Sequence, residues 1–160
     1  MRVLAKPEAK PNAQPDREID PDRRPGYLIK KVSMTMRTRM DAVLRPHGLT
    51  APQFICLQLL HDTPRISGAE LARKAFVSRQ SIHQMLGDLR ARGLVEQEPS
   101  THGRRRGVAR LTEEGRRHFE AALPDIDAFE RATFAALEDG EREQLVDILR
   151  RCEAALEDLE

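Results

Sequence analysis

Residues suited to opening helices recur through the middle of this 160-residue chain and cut it into short pieces. Thr50 precedes Ala51-Pro52-Gln53, where a capping hydroxyl, a first-turn proline and a glutamine able to reach back are all in place. Phe54, Leu57 and Leu60 then mark a helix that meets Pro64. Ser67-x-x-Glu70 repeats the capping signal ahead of Leu71 and Ala72, and a third start lies at Ser78. Behind it Ile82, Met85, Leu86 and Leu89 recur at three- and four-residue steps as one buried stripe, and Gly93 stands where a helix C-cap needs it. Leu94 to Glu98 alternates weakly, Ser100 to Gly107 is an Arg-rich turn, and Val108 to Leu111 returns, which predicts a small hairpin.

The flanks read differently. Residues 1–25 hold five of the ten prolines among charged residues, so a flexible tail is expected there. From Tyr27, the spacing of Leu28, Val32, Met36, Met40, Val43 and Leu44 predicts a helix that stops before Pro46. Thr112-Glu113-Glu114 opens a long helix with acids where the helix dipole favours them; Pro124 is expected to kink it and Asp139-Gly140 to break it. Leu145, Ile148, Leu149, Cys152, Leu156 and Leu159 form a last apolar stripe. The expected organisation is a tail (1–25), an N-terminal helix (26–48), a central module (49–111) and C-terminal helices (112–160), mainly α within the α+β class.

Charge divides along the same lines. Residues 1–63 carry a net +4, residues 64–111 carry +6 from 10 Lys/Arg against 4 Asp/Glu, and residues 112–160 carry −9. A basic centre beside an acidic C-terminal third suits a polyanion-binding module joined to a part kept off the polyanion. The longest apolar run, Phe54 to Leu60, is interrupted by Gln58 and is too short to cross a bilayer. MRVLAKPEAK lacks the apolar core of a signal peptide, so a cytoplasmic location is expected. The two cysteines cannot make a disulfide framework, and there is no Cys-x-x-Cys. The five histidines fall in separate elements, with neither Gly-x-Ser-x-Gly nor a phosphate-binding glycine loop, so no enzyme, cofactor or metal site is expected.

Two short helices, a tight turn and a hairpin follow the order of a winged helix-turn-helix. A major groove about 12 Å wide admits one helix, whose N-terminal half meets base edges. Opposite the Ile82/Leu86/Leu89 stripe lie Arg79, Gln80, His83, Gln84, Gly87 and Arg90, with no carboxylate before Asp88. The candidate DNA-binding residues are Ser78, Arg79, Gln80, Ser81, His83 and Gln84 on this helix. Arg104, Arg105 and Arg106 join them at the hairpin tip, where guanidinium groups suit a narrow minor groove and phosphate oxygens. Ser78 is read first as the helix cap. Gly87 costs a helix interior about 1 kcal/mol relative to Ala.

Val77-Ser78-Arg79-Gln80-Ser81-Ile82, Leu89 and Gly93-Leu94-Val95 resemble the recognition helix of MarR-type (multiple antibiotic resistance regulator) repressors. The resemblance extends to Gly48-Leu49-Thr50-Ala51-Pro52-Gln53-Phe54, to Leu111-Thr112-Glu113-Glu114-Gly115 and to the acidic C-terminal helices, about residues 26–159 in all. It implies a homodimer whose first helix and last two helices pair. Two winged modules then meet successive major grooves of a pseudo-palindromic operator, usually to repress, and a small-molecule effector is bound between the dimer helices and the winged module. Arg105 falls at the family's wing arginine, whereas Gly103 stands where the family commonly has Asp. Met34, Met36, Met40 and the Phe119/Phe129 region are the candidates to line the cleft for that effector, but a methionine stripe on a helix is more often plain core, so no pocket residue is assigned. Some relatives sense peroxides through a cysteine; here Cys56 and Cys152 read as small buried hydrophobes. The alternatives are a dimeric interaction protein whose winged helix contacts protein, and a redox-sensing regulator.

Overall fold

A computed structural model describes residues 20–98 and 108–158. The expected tail therefore lies outside the described residues as far as residue 19. The chain divides into two compact units, Met1–Thr35 and Met36–Glu160. In the first, Asp20 caps a short 3-10 turn, Pro21–Arg23, and the Lys31 ammonium lies 3.1 Å from the Asp22 carboxylate. Helix α1 (Pro25–Leu44) runs on into the second unit and gives way to a 3-10 turn, Arg45–His47, at the predicted place before Pro46.

The second unit continues as α2 (Ala51–Asp62), β1 (Ile66–Ser67), α3 (Gly68–Lys74), α4 (Arg79–Ala91), β2 (Val95–Glu98), β3 (Val108–Leu111), α5 (Glu113–Thr133) and α6 (Asp139–Glu157). The caps explain most of these starts. Thr50 Oγ1 accepts the Gln53 N–H while Gln53 Oε1 accepts the Thr50 N–H at 3.1 Å, so the predicted box is complete. Ser67 accepts the Glu70 N–H, but Glu70 does not reach back, so only half of that second box forms. Thr112 Oγ1 accepts the Gly115 N–H at 2.9 Å and donates to the Gly93 carbonyl at 2.6 Å, tying the start of α5 to the end of α4.

Between α4 and β2 the chain must reverse, and Gly93 takes φ +72°, a left-handed conformation that a Cβ disfavours. The hairpin pairs Val95 with Leu111 and Glu98 with Val108. The sheet order is β1-β3-β2, with Ile66 opposite Ala109. The two-residue β1 was not predicted, because a two-residue strand has no period to read.

One core fills this unit. Phe54, Leu57 and Leu60 of α2, Leu71 of α3, Ile82, Leu86 and Leu89 of α4, and Val95, Ala109 and Leu111 of the sheet are all buried. Phe119, Ala122 and Ile126 put the first half of α5 into the same core, and the Phe119 and Phe54 rings lie 5.2 Å apart. Helix α5 continues through Pro124. Asp139-Gly140 does not break the chain: it forms the first turn of α6, capped by Glu138 and Glu141, and the break falls at residues 134–137. A glycine in a first turn costs little, because the N–H groups there have no partner within the helix in any case.

Cys56 is buried as expected, and burial pushes its thiol up to about 12. Cys152 differs from expectation. It is exposed, because α6 has no buried residue in the single chain.

Two tests follow from the packing. A Cβ at Gly115 would meet the Leu94 carbonyl oxygen at 1.9 Å, a backbone atom that cannot swing aside. Gly115→Ala is therefore expected to destabilise the protein by about 3 kcal/mol in urea unfolding, and an unchanged midpoint would contradict the close approach. Iodoacetamide at pH 8 is expected to leave Cys56 unmodified in the native protein and to alkylate it in urea, read by peptide mass mapping.

Candidate nucleic-acid interface

The candidate surface begins at the cap of α4. Ser78 has extended backbone angles, its Oγ accepts the Ser81 N–H at 3.1 Å, and the two hydroxyls share a hydrogen bond at 2.7 Å. The expected capping role of Ser78 is thus met, and both hydroxyls remain exposed.

Beyond the cap, Ile82, Leu86 and Leu89 fix which way the helix faces. Gln80, His83 and Gln84 fall on the far side of the helix and Arg79 at the flank of the stripe in its first turn; these four are all exposed, as are Ser78 and Ser81. No described carboxylate lies within ion-pair distance of Arg79. Arg90, further along, is exposed and donates to Gln97 Oε1 at 3.2 Å, which braces α4 against β2 at the surface. A Cβ at Gly87 would meet nothing within 4 Å, so nothing in the chain's own packing requires glycine there.

The other half of the site is the hairpin. Its strands are described, whereas Arg104, Arg105 and Arg106 lie outside the described residues. The outer face of the sheet carries charges that the sequence reading did not single out. Arg110 Nε lies 2.9 Å from Glu96 and 3.6 Å from Glu98, and Arg65 Nη1 lies 2.8 Å from Glu98. Glu96 faces Arg110 in the register, an opposite-charge pair of the kind that steadies a two-stranded ribbon. Glu98 reaches two arginines, Arg110 on β3 and Arg65 in the turn before β1, a convergence that no local spacing announces. These pairs hold the base of the hairpin without using the arginines of its tip.

Near the junction of α1 and α2, His47 Nε2 lies 2.7 Å from Asp125 Oδ2, and His118 Nε2 lies 3.0 Å from the His47 carbonyl oxygen. Among the described residues no three His, Cys, Asp or Glu side chains are grouped to hold a metal ion. No described helix is long and apolar enough to cross a membrane.

Comparison with known proteins agrees with this geometry. Residues 47–106 match the MarR family. The HTH-type transcriptional repressor Rv2887 of Mycobacterium tuberculosis is 35% identical over 127 residues, 78% of this chain and 91% of that protein. The crystal structure of the Mycobacterium tuberculosis MarR family protein Rv2887 in complex with DNA superimposes with a TM-score of 0.66 at 32% identity, covering 81% of this chain and 97% of that one. Its complex with salicylic acid also gives a TM-score of 0.66 at 32% identity, over 81% and 96% of the two chains. Helix order, capped recognition helix, hairpin and sequence identity together place this chain in the MarR family of winged helix-turn-helix transcriptional regulators.

Proposed function

We propose that this chain is a ligand-responsive transcriptional repressor that binds double-stranded DNA as a homodimer in the cytoplasm. The observation that carries the reading is the exposed polar surface at the start of α4, where Arg79, Gln80, His83 and Gln84 stand clear of the core beside the capping pair Ser78 and Ser81. Such a surface presents donors and acceptors to base edges, while the positive end of the helix favours phosphate. Arg104, Arg105 and Arg106 are assigned to the flanking backbone and minor groove. Rv2887, which has been crystallised both with DNA and with salicylic acid, supports the same two partners here: duplex DNA and a small aromatic effector.

In this reading the winged module (49–111) carries DNA contact, and the N-terminal helix (26–48) and C-terminal helices (112–160) pair with a second copy. The exposed apolar residues of α6 (Val146, Ile148, Leu149 and Leu156) support that pairing. Family members are generally DNA-binding regulators rather than enzymes, and we read this chain in the same way. A winged helix turned to protein contact would not need the combination of Arg79 with Arg104, Arg105 and Arg106, which is our reason for preferring DNA. A thiol switch at Cys56 is opposed by burial, which keeps that thiol protonated.

Footprinting on the DNA upstream of the protein's own reading frame would supply an operator. Arg79→Ala is expected to cost about 1–3 kcal/mol of operator affinity and to narrow the ratio over scrambled duplex, measured by titration. An unchanged ratio would remove Arg79 from base readout. Arg105→Ala is expected to weaken binding to both duplexes and to lower the slope of log K against log salt by about one. A retained slope would mean that Arg105 makes no phosphate contact.

A further inference from the structure

The outer face of α4 loses its side chains at one point. At 3.6 residues per turn, Gly87 lies about 20° round the helix from Gln80 and about 60° from Gln84, on the side turned away from Ile82, Leu86 and Leu89. Glycine is costly in a helix interior, because it gives up more backbone freedom on folding than alanine does. Nothing in the described packing calls for it. A Cβ at Gly87 would meet no described atom within 4 Å, whereas one at Gly115 would collide with main chain, and α4 runs through Gly87 without a break. The space beside Gly87 is therefore left for something outside the chain.

Its neighbours indicate what that is. One turn away on the same face lie His83 and Gln84 before it and Arg90 and Ala91 after it, all exposed and none acidic. The adjoining carboxylate, Asp88, is turned about 100° round the helix. Dimensions agree with a DNA strand. A helix with its side chains is about 10–12 Å across and the major groove about 12 Å wide, so the clearance is small enough for one methyl group to matter. At 1.5 Å per residue, Gly87 stands about 12 Å along the axis from Arg79, one groove width from the start of α4. A helix entering the groove by its N-terminal half meets the far sugar–phosphate strand near that point.

We propose that Gly87 is a specificity-determining residue, whose missing side chain lets one DNA strand pass against the main chain of α4. Only at that depth do Gln80 and Gln84 reach base edges. The inference rests on the DNA-binding reading above and deepens it. A side chain at Gly87 holds α4 out of the groove, so base contacts are lost while phosphate contacts made by long, flexible cations persist. Discrimination between sequences then falls further than general affinity for DNA.

The test compares the full chain with Gly87→Ala and Gly87→Leu. Each is melted without DNA and titrated against the footprinted operator and a scrambled duplex. Gly87→Ala is expected to melt about 2–4 °C higher than the parent, because alanine is the better helix former in open space. It is nevertheless expected to bind operator about ten- to a hundredfold more weakly, with little change on the scrambled duplex. Gly87→Leu is expected to bind operator more weakly still. If Gly87→Ala keeps the parent's ratio of affinities, the inference is overturned and the repressor reading stands. A Gly87→Ala protein that melts lower than the parent also overturns it, since glycine then serves the fold, and so does a Gly87→Leu protein that binds operator as well as Gly87→Ala. A parent chain that binds both duplexes alike overturns the DNA-binding reading itself, and the inference with it.

Discussion

Burial of Ile82, Leu86 and Leu89 in the shared core, where α4 packs on α3 and β2, sets the rotation of α4 about its own axis, and the rest of its exposed polar surface follows from it. A helix has one freedom that its hydrogen bonds do not settle, namely which side faces inward. Three large aliphatic side chains at helical spacing settle it, at about 1.5–3 kcal/mol each on full burial. With the stripe inside, Gln80, His83 and Gln84 are turned outward, and Arg79 is exposed at the flank of the stripe in the first turn. The brace from Arg90 to Gln97 and the Thr112 bond to the Gly93 carbonyl oxygen then hold the same helix to the sheet and to α5.

The module is held tightly where α4 leaves and loosely where the chain ends. Leu94 passes so close to Gly115 that no side chain fits between them, and Thr112 caps α5 at the same place. Helix α5 therefore begins as part of the winged module, through Phe119, Ala122 and Ile126, before α6 leaves it with its apolar residues in water. A regulator needs this combination. A rigid reading head keeps its contact geometry, while helices that are completed only by assembly make that head's spacing depend on a partner.

Several features were legible in the sequence because each depends on near neighbours. Thr50, Ser67, Ser78 and Thr112 all cap helices, since a hydroxyl three residues ahead of an N–H needs nothing from elsewhere in the chain. The polar face of α4 was legible for the same reason, as helical period alone separates it from Ile82 and Leu89. Asp139-Gly140 misled because glycine signals a break or a first turn equally well, and the neighbouring Glu138 and Glu141 decided for the turn. Cys152 misled because an apolar stripe says that a surface needs covering but not that its own chain covers it.

By itself, then, the chain's local chemistry determined where helices begin, which side of α4 is polar and where the hairpin strands lie, because hydrogen-bond caps and side-chain period act within a few residues. Only the tertiary structure decided that β1 pairs with β3, that Glu98 gathers Arg65 and Arg110, that Gly115 must be glycine, and that Phe76 takes φ +53° with its ring exposed. Each of those joins or opposes residues far apart in the chain, or sets a backbone angle that packing imposes against a residue's own preference. Sequence spacing carries no record of either.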